Sequence, residues 1–139
     1  MICYVQQIQT HTDKGVDIAD ITPELEKLLQ ASGVNTGSLH ASCLGSTGSL
    51  TSIEYEPGVV ADLARSIDEL APPGRKYQHE LAWADGNGHS HVQAALVGPS
   101  EVVAVRRGRL SLGTWQQVVV INHDTKPRTR RVEVTIMGT

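Results

Sequence analysis

The run VVVI at residues 118–121 is the strongest fold signal, and it stands within the strand-like segment EVVAVRRGRLSLGTWQQVVVINHD at residues 101–124. β-Branched residues favour strands, and an apolar run without alternation predicts a strand that is buried on both faces. The turn RRG at residues 106–108 divides this segment, and DTKPRT at residues 124–129 separates it from a last strand, RRVEVTIMG, at residues 130–138. The last third of the chain therefore predicts several strands.

The beginning of the chain predicts a strand and a helix. ICYVQQIQT at residues 2–10 is rich in β-branched and aromatic side chains and predicts an opening strand. ITPELEKLLQASG at residues 21–33 predicts a helix with Thr22 as its N-cap, Pro23 as its first residue and Gly33 as its left-handed end. Three leucines at helical spacing form its apolar face: Leu25, Leu28 and Leu29.

Two strands and two helices are predicted between these ends. The residues 34–55 are mostly small or β-forming and predict two strands around the turn GSTG. EPGVVADLARSIDELAPP at residues 56–73 predicts the main helix, with apolar positions at Val59, Val60, Leu63, Ala64, Ile67 and Leu70. HVQAALVGPS at residues 91–100 predicts a short helix with Asn87 as its cap. This order predicts one α+β domain over residues 1–139, with a mixed or mostly antiparallel sheet packed against two to three helices.

Composition and charge narrow the classes of function. A chain of 139 residues with 40% hydrophobic residues fits one domain, and a net charge of -3 predicts neither a nucleic-acid partner nor a membrane partner. No apolar run approaches the roughly 20 residues that span a bilayer. Two cysteines are too few for a disulfide framework, which predicts a cytoplasmic protein. Positive charges in the last third nevertheless predict a local anion site: Arg106, Arg107, Arg109, Lys126, Arg128, Arg130 and Arg131.

Histidines provide the main candidate site. The stretch DGNGHSH places His89 and His91 one residue apart, and His79 precedes them. Three neutral imidazoles are the number that many catalytic zinc sites use, with a fourth position open to water. Asp85 or Glu80 would then accept the hydrogen bonds that fix the ring tautomers. The alternative is that the histidines cap helix ends and bond across a loop.

The segment around the GSTG turn offers hydroxyls and carboxylates. The hydroxyls of Ser46 and Thr47, together with the backbone amides of the turn, suit a phosphate group, although no lysine accompanies them. Glu54 and Glu56 lie on one side of a strand and suit a carboxylate pair beside a metal ion. Glu56 also suits the N-terminus of the next helix through the helix dipole, and this interpretation is favoured.

Aromatic and isolated histidine side chains carry weaker signals. The segment GRLSLGTWQ offers Arg109, Trp115 and Gln116. Trp115 either stacks on a flat heterocycle or belongs to the core, and the core is favoured because the chain has two tryptophans and no phenylalanine. His40 and His123 are each isolated in strand-like sequence, which favours a structural role for both.

Three blocks of the sequence together resemble the YjbQ-like family, often described as secondary thiamine-phosphate synthases. They are GSTGSLTSIEYEPGVVADL, YQHELAWADGNGHSHVQAALVGPS and GRLSLGTWQQVVVINHDTKPRTRRVEV. The resemblance implies a homotrimer of compact α+β subunits with a pocket that holds a metal ion. Combined with the motifs above, it assigns catalytic roles to Glu54, Asn87 and His89, substrate binding to Ser46, Thr47, Arg109, Trp115 and Gln116, and metal binding to His79, His89 and His91.

The activity that the resemblance implies joins a pyrimidine methyl diphosphate to a thiazole phosphate and expels diphosphate, which calls for a divalent ion and cationic groups. Histidine ligands favour zinc, whereas diphosphate departure favours magnesium. The alternatives are a non-catalytic trimeric module that binds a metal or ligand, and a metal-dependent hydrolase. Gly45 stands where many relatives have a histidine, so the role of that imidazole is missing here or is taken by another residue such as His40.

Overall fold

Eight strands and four helices form the chain, and a computed structural model describes residues 1–139. In chain order they are β1 (Ile2–Thr12), β2 (Asp17–Asp20), α1 (Thr22–Ser32), β3 (Thr36–Cys43), β4 (Gly48–Glu54), α2 (Pro57–Leu70), α3 (His79–Trp83), α4 (Gly88–Val97), β5 (Ser100–Arg106), β6 (Arg109–Leu110), β7 (Gln116–Asn122) and β8 (Arg128–Gly138). The strands form a sheet of order β1-β8-β3-β5-β6 and a smaller sheet of order β2-β7-β4. Every pair of neighbouring strands is antiparallel. The predicted α+β class is confirmed, but the strands divide into two sheets, and four helices replace the expected two or three.

β7 is the central strand of the smaller sheet, and both of its faces are buried. Val118 and Val120 lie in the main core, which the two sheets and α1 enclose. Val119 and Ile121 lie on the opposite face, where they pack with Ile67 of α2. Each fully buried aliphatic side chain contributes about 1.5–3 kcal/mol relative to an exposed one. The predicted burial of this strand on two faces is therefore confirmed.

α1 packs its leucine face on the main core. Leu25 and Leu29 are buried there, and the helix ends at Gly33, which adopts the predicted left-handed conformation with φ 73°. The prediction that Thr22 is the N-cap is wrong, because Ile21 holds that position and Thr22 is the first helical residue. The Thr22 hydroxyl instead accepts a hydrogen bond from the Val118 N–H at 2.8 Å, so a tertiary contact with β7 replaces the local cap.

α2 covers the outer face of the smaller sheet. It begins at the Glu56 side chain, whose oxygens accept hydrogen bonds from the N–H groups of Gly58 and Val59, in agreement with the favoured interpretation of Glu56. Ile67 is its one fully buried residue. Leu70, predicted on the apolar face, is 64% exposed. The apolar positions of α2 therefore continue, at Leu70, beyond the part of the helix that packs on the sheet.

Three connections cross between the sheets at the same end of the molecule, and the first, residues 13–16, joins β1 to β2. The loop at residues 44–47 joins β3 of the larger sheet to β4 of the smaller sheet, and the loop at residues 123–127 joins β7 to β8 in the opposite sense. The strands around the predicted GSTG turn thus exist but do not pair with each other. The crossover loops, as we call residues 44–47 and 123–127, lie side by side because the His123 N–H donates to the Thr47 carbonyl at 2.8 Å.

The helices that follow α2 lie next to the crossover loops. α3 occupies a segment for which the sequence predicts neither a helix nor a strand, and it precedes α4. Asn87 holds the predicted N-cap position of α4, but its side chain makes no capping bond and instead accepts from the Thr125 N–H at 3.4 Å. This contact ties the start of α4 to the crossover loop at residues 123–127. None of the four helices has the length and apolar character that a membrane crossing needs.

Candidate functional site

A polar cavity of about 450 Å³ opens between the crossover loops, the start of α4 and the first residues of β8. Its lining includes one hydrophobic residue, Leu44, and eleven others: Gly45, Ser46, Thr47, Asp85, Asn87, His91, Asp124, Arg128, Thr129, Arg130 and Arg131. Four of the predicted site residues, Ser46, Thr47, Asn87 and His91, therefore share one cavity with three arginines of the predicted cationic cluster. Such a lining suits a charged polar ligand rather than an apolar one.

Asp124 organises the floor of this cavity. Its carboxylate accepts hydrogen bonds from the Thr47 hydroxyl at 2.9 Å, the Arg128 Nε at 3.1 Å and the Lys126 N–H at 3.1 Å. Burial alone would raise the pKa of Asp124, but the hydrogen bonds from Thr47 and Lys126 outweigh burial and hold the pKa below its ordinary value. The carboxylate is therefore ionised at neutral pH and fixes the two crossover loops relative to β8.

Arg130 forms the wall behind the crossover loop at residues 44–47. Its side chain is buried, and its Nη2 donates to the Thr47 hydroxyl at 2.7 Å and to the Asn122 side-chain oxygen. Burial lowers the pKa of Arg130, and the neighbouring Cys43 and Asp124 partly offset this effect. The sequence contains one indication that Arg130 lies at the cavity. Arg128 and Arg130 are two residues apart on a strand, so their side chains point to the same side.

His79 and His91 form the imidazole pair of the site. Their ring centroids lie 4.5 Å apart, and the His79 Nε2 lies 3.1 Å from a carboxylate oxygen of Asp85. Ligand atoms of His79, Glu80 and Asp85 lie within 4.8 Å of one another. The Glu80 carboxylate also accepts from the N–H groups of Gly86 and Gly88, so it shapes the loop before α4. Asp85 thus holds the predicted position beside a histidine.

His89 does not line the cavity with His91, although the sequence placed both in one metal site. Both residues lie on α4, and helix positions two apart point to different sides. The His89 ring is buried, and its Nε2 lies 3.3 Å from the Ser90 hydroxyl. Because that hydroxyl donates to the His123 carbonyl at 2.6 Å, the His89 Nε2 carries the proton in this contact. The structure brings together His79 and His91 but leaves His89 outside the pair.

His123 lies at the centre of a buried hydrogen-bond network. Its Nε2 lies 2.7 Å from the Ser49 hydroxyl, and its Nδ1 lies 3.0 Å from the Gln93 side-chain oxygen. The Gln93 amide nitrogen donates to Asp68 and to the Ala71 carbonyl. The Gln93 oxygen therefore accepts from Nδ1, and the neutral Nε2 accepts from Ser49. The network joins β4, α2 and α4 behind the site, in agreement with the structural role predicted for His123; His40 is exposed on β3.

The remaining predicted site residues lie at the other end of the β4–β7 pair. Glu54 pairs with Gln116 there, whereas the crossover loops lie next to the Gly48–Asn122 pair. Six steps along a strand separate the two ends, which is about 20 Å. Trp115 is 74% exposed, so the interpretation of Trp115 as a core residue is wrong.

Arg109 belongs to a separate cavity of about 360 Å³ between α1 and the β5–β6 hairpin, where it lies with Glu26 and Gln30. Within one chain, the residues of the GRLSLGTWQ block therefore do not reach the imidazole pair. The sequence contains no pattern that would have shown these residues to lie far from the histidines. The distance between the two groups follows from the tertiary arrangement, in which β7 runs from one end of the smaller sheet to the other.

The fold and the cavity define a small α+β protein in which polar crossover loops join two antiparallel sheets. These loops border a cavity that three arginines and His91 line. A family model described as UPF0047 protein YjbQ-like matches residues 6–139, so the chain belongs to this family. The resemblance stated from the sequence blocks is thereby confirmed.

Relatives cover nearly the whole chain. A UPF0047 protein of Methanothermobacter thermautotrophicus is 32% identical over 99% of this chain and 94% of its own length, and YugU of Bacillus subtilis is 36% identical over 96% of this chain and 99% of its own. A solved structure of a protein of unknown function from Sulfolobus solfataricus matches with a TM-score of 0.93 and 31% identity, covering 99% of this chain and 98% of that one. The fold is therefore shared with proteins of clearly related sequence.

We expect His123 to make the stability of the protein fall in acid. Burial lowers the pKa of His123 from 6.5 to about 4, with Arg130 and His89 adding to the effect. Below pH 6.5 His123 binds a proton in the unfolded chain, whereas in the folded chain it binds one only near pH 4. The free energy of unfolding therefore decreases as the pH falls across this window. At 1.36 kcal/mol for each pKa unit, the loss approaches about 3 kcal/mol.

Urea unfolding between pH 7 and pH 4 measures this slope. His123→Asn keeps a donor near Nδ1 but removes the titration, and we expect a shallower slope for this variant. His40→Asn changes an exposed histidine and serves as the matched control with the wild-type slope. Equal slopes for wild type and His123→Asn would contradict this assignment.

Proposed function

We propose that the cavity binds a phosphorylated small molecule beside a divalent ion, and that the protein is a transferase resembling thiamine-phosphate synthase. The observation that carries this proposal is that His91 and three arginines line the same polar cavity. Thiamine-phosphate synthesis forms a bond between the thiazole nitrogen and the pyrimidine methylene carbon. The bond from that carbon to diphosphate breaks, and its electron pair leaves with the diphosphate. Negative charge then grows on the departing oxygens, where cationic side chains stabilise it.

The donor set around His79 fits a divalent ion. Ligand atoms of His79, Glu80 and Asp85 lie within 4.8 Å of one another, and the centroid of the His91 ring lies 4.5 Å from that of His79. Two imidazoles and carboxylates favour zinc, while magnesium remains the alternative that the carboxylates suit. A bound ion would neutralise negative charge on the ligand or activate a water molecule.

Other side chains of the cavity are assigned to ligand binding. Asn87, Ser46 and Thr47 line the cavity, and we assign them polar contacts with the ligand. Arg128 and Arg131 offer positive charge at its rim. We assign the direct imidazole contact with the ligand to His91, and we assign His89 a supporting role through Ser90 and the crossover loop at residues 123–127.

A homotrimer would bring the two ends of the β4–β7 pair together between neighbouring chains. We propose a head-to-tail contact in which Glu54, Arg109, Trp115 and Gln116 of one chain approach the cavity of the next, since such contacts close into rings. Exposed apolar side chains at both ends support it: Leu81 and Trp83 of α3 are 88% and 73% exposed, and Trp115 is exposed at the other end. Large exposed apolar groups are typical of interfaces.

The alternative is a trimeric module that holds a metal or ligand without turnover, or a metal-dependent hydrolase that uses an activated water. We keep the cytoplasm as the proposed location, because Cys3 is exposed and Cys43 is buried, both as free thiols. Neither a nucleic acid nor a membrane is proposed as a partner.

We expect wild-type protein to form thiamine phosphate from the pyrimidine diphosphate and the thiazole phosphate, with release of diphosphate. His91→Ala should lose about a hundredfold or more in rate, the range for removal of one positioned imidazole. His89→Ala should lose less, because that ring does not line the cavity, and His40→Ala should retain full activity. Product formation followed by chromatography tests this. If the wild type forms no product, the proposed transferase activity is wrong. If His91→Ala and wild type have equal rates, the assignment of the site is wrong.

Removal of the divalent ion should lower the melting temperature. An ion present at a hundred times its dissociation constant adds about 2.7 kcal/mol to the folded state. Calorimetry with and without a chelator measures this difference, and metal analysis of the purified protein identifies the ion. His79→Ala should melt at the same temperature in both conditions, whereas His40→Ala should respond as wild type does. An unchanged wild-type melting temperature on chelation would refute the metal site.

Sedimentation equilibrium tests the head-to-tail trimer. We expect a mass of three chains for wild type and of one chain for Trp115→Arg, because a charge at a buried contact destabilises the assembly. Val5→Arg places the same charge on the outer face of the larger sheet, at another exposed apolar residue. If Val5→Arg dissociates the protein and Trp115→Arg does not, the contact lies on the sheet face and the proposed arrangement is wrong.

A further inference from the structure

The crossover loop at residues 44–47 presents three consecutive backbone N–H groups that have no acceptor in the chain. The Leu44 N–H donates to the Arg131 carbonyl at 2.9 Å, but the N–H groups of Gly45, Ser46 and Thr47 make no hydrogen bond. All three residues line the cavity, and Gly45 has φ 107°, in the left-handed region that favours glycine. Successive free N–H groups on a turn are a common receptor for anions.

Arg130 supplies an independent donor to the same space. Its side chain is 5% exposed, and its Nη2 is held by Thr47 and Asn122. Its Nε is the one buried side-chain nitrogen or oxygen without a partner. Nη1 also has no hydrogen-bond partner in the chain, and Arg130 is a lining residue of the cavity. Nη1 lies beneath the loop, since a Cβ atom built on Gly45 would stand 3.1 Å from it.

The acids around the cavity do not satisfy these donors. Asp124 already accepts from Thr47, Arg128 and Lys126, and the Asp85 oxygen near the site accepts from the Asn87 N–H and contacts His79. The cavity lining holds three arginines against these two carboxylates, which leaves one positive charge among these five side chains. A buried guanidinium with unmet donors carries a desolvation penalty. Charge-assisted hydrogen bonds to an anion would offset it.

We propose that the N–H groups of residues 45–47 and the Nη1 of Arg130 form a phosphate subsite that binds its anion directly, without a bridging metal ion. This inference rests on the proposed function and deepens it, because it fixes where the phosphate group of the ligand sits. Four donors from two directions match the several oxygens of a tetrahedral phosphate better than the two oxygens of a carboxylate. The phosphate then lies in the cavity that His91 also lines.

The ligand is a terminal phosphate group, whether of a diphosphate or of inorganic phosphate. Calorimetric titration of chelator-treated protein with inorganic phosphate, diphosphate and acetate at constant ionic strength separates these sources. We expect saturable binding of phosphate or diphosphate with one site per chain and no saturable binding of acetate. Whichever phosphate binds more tightly identifies the source.

Two variants locate the subsite. Gly45→Ala places a methyl group against Nη1 and should weaken phosphate binding at least tenfold, and Arg130→Gln removes the donor altogether. Gly113→Ala and Arg106→Gln are the matched controls: a Cβ at Gly113 meets ordinary contacts, and Arg106 is exposed on β5. Both controls should bind as wild type does. Melting curves show that each variant is folded, and Gly45→Ala tests the proposal if Arg130→Gln does not fold.

The outcomes separate this inference from the proposed transferase. Phosphate binding in chelator that Gly45→Ala weakens supports the subsite even where no thiamine phosphate is formed. Binding that appears only when zinc or magnesium is added would overturn the subsite and leave the metal-assisted transferase standing. Absence of saturable binding, or equal weakening by Gly45→Ala and Arg106→Gln, would also overturn it.

Discussion

Burial of β7 on both faces is the constraint on which the rest of the structure depends. Since Val118 and Val120 belong to one core and Val119 and Ile121 to the other, a one-residue shift of this strand would carry a polar neighbour, Gln117 or Asn122, into an apolar core. Its end at Asn122 is therefore fixed between the layers. The chain must cross to the larger sheet directly after it, and the loop at residues 123–127 meets the loop at residues 44–47, which crosses the other way.

Polar side chains at this crossing replace the backbone pairing that the sheets no longer provide. The Thr47 hydroxyl donates a hydrogen bond to Asp124 and accepts one from Arg130. The side-chain oxygen of Asn122 accepts a second hydrogen bond from Arg130. Buried polar groups are tolerated where their partners are present, and they then hold a unique arrangement. The cavity is open because the two loops are held by these side chains rather than by a continuous ladder. The free donors of Arg130 and of residues 45–47 are the places where this network is incomplete, which is why ligand binding is assigned there.

The sequence predicted many of the residue types in the site but not which of those residues lie together. His79, His91 and Asp85 come together as expected, because the short α3 and the start of α4 bring neighbouring chain segments side by side. His89 separates from them because both histidines became helical, and two residues along a helix rotate a side chain to another face. The sequence grouped Arg109, Trp115 and Gln116 with the histidines, but the length of β7 places Gln116 at the far end of the strand pair, and Arg109 lies in a separate cavity.

The sequence by itself determined the periodic elements: the aliphatic strands, the leucine face of α1, the glycine at its end and the carboxylate that begins α2. These follow from local physical rules, namely side-chain periodicity, backbone conformation and capping. The tertiary structure alone decided the division into two sheets, the use of Thr22 as a contact with β7 rather than a cap, and the burial of Arg130 beneath the turn. Those features depend on which distant strands become neighbours, and no spacing along a single chain encodes that partner choice.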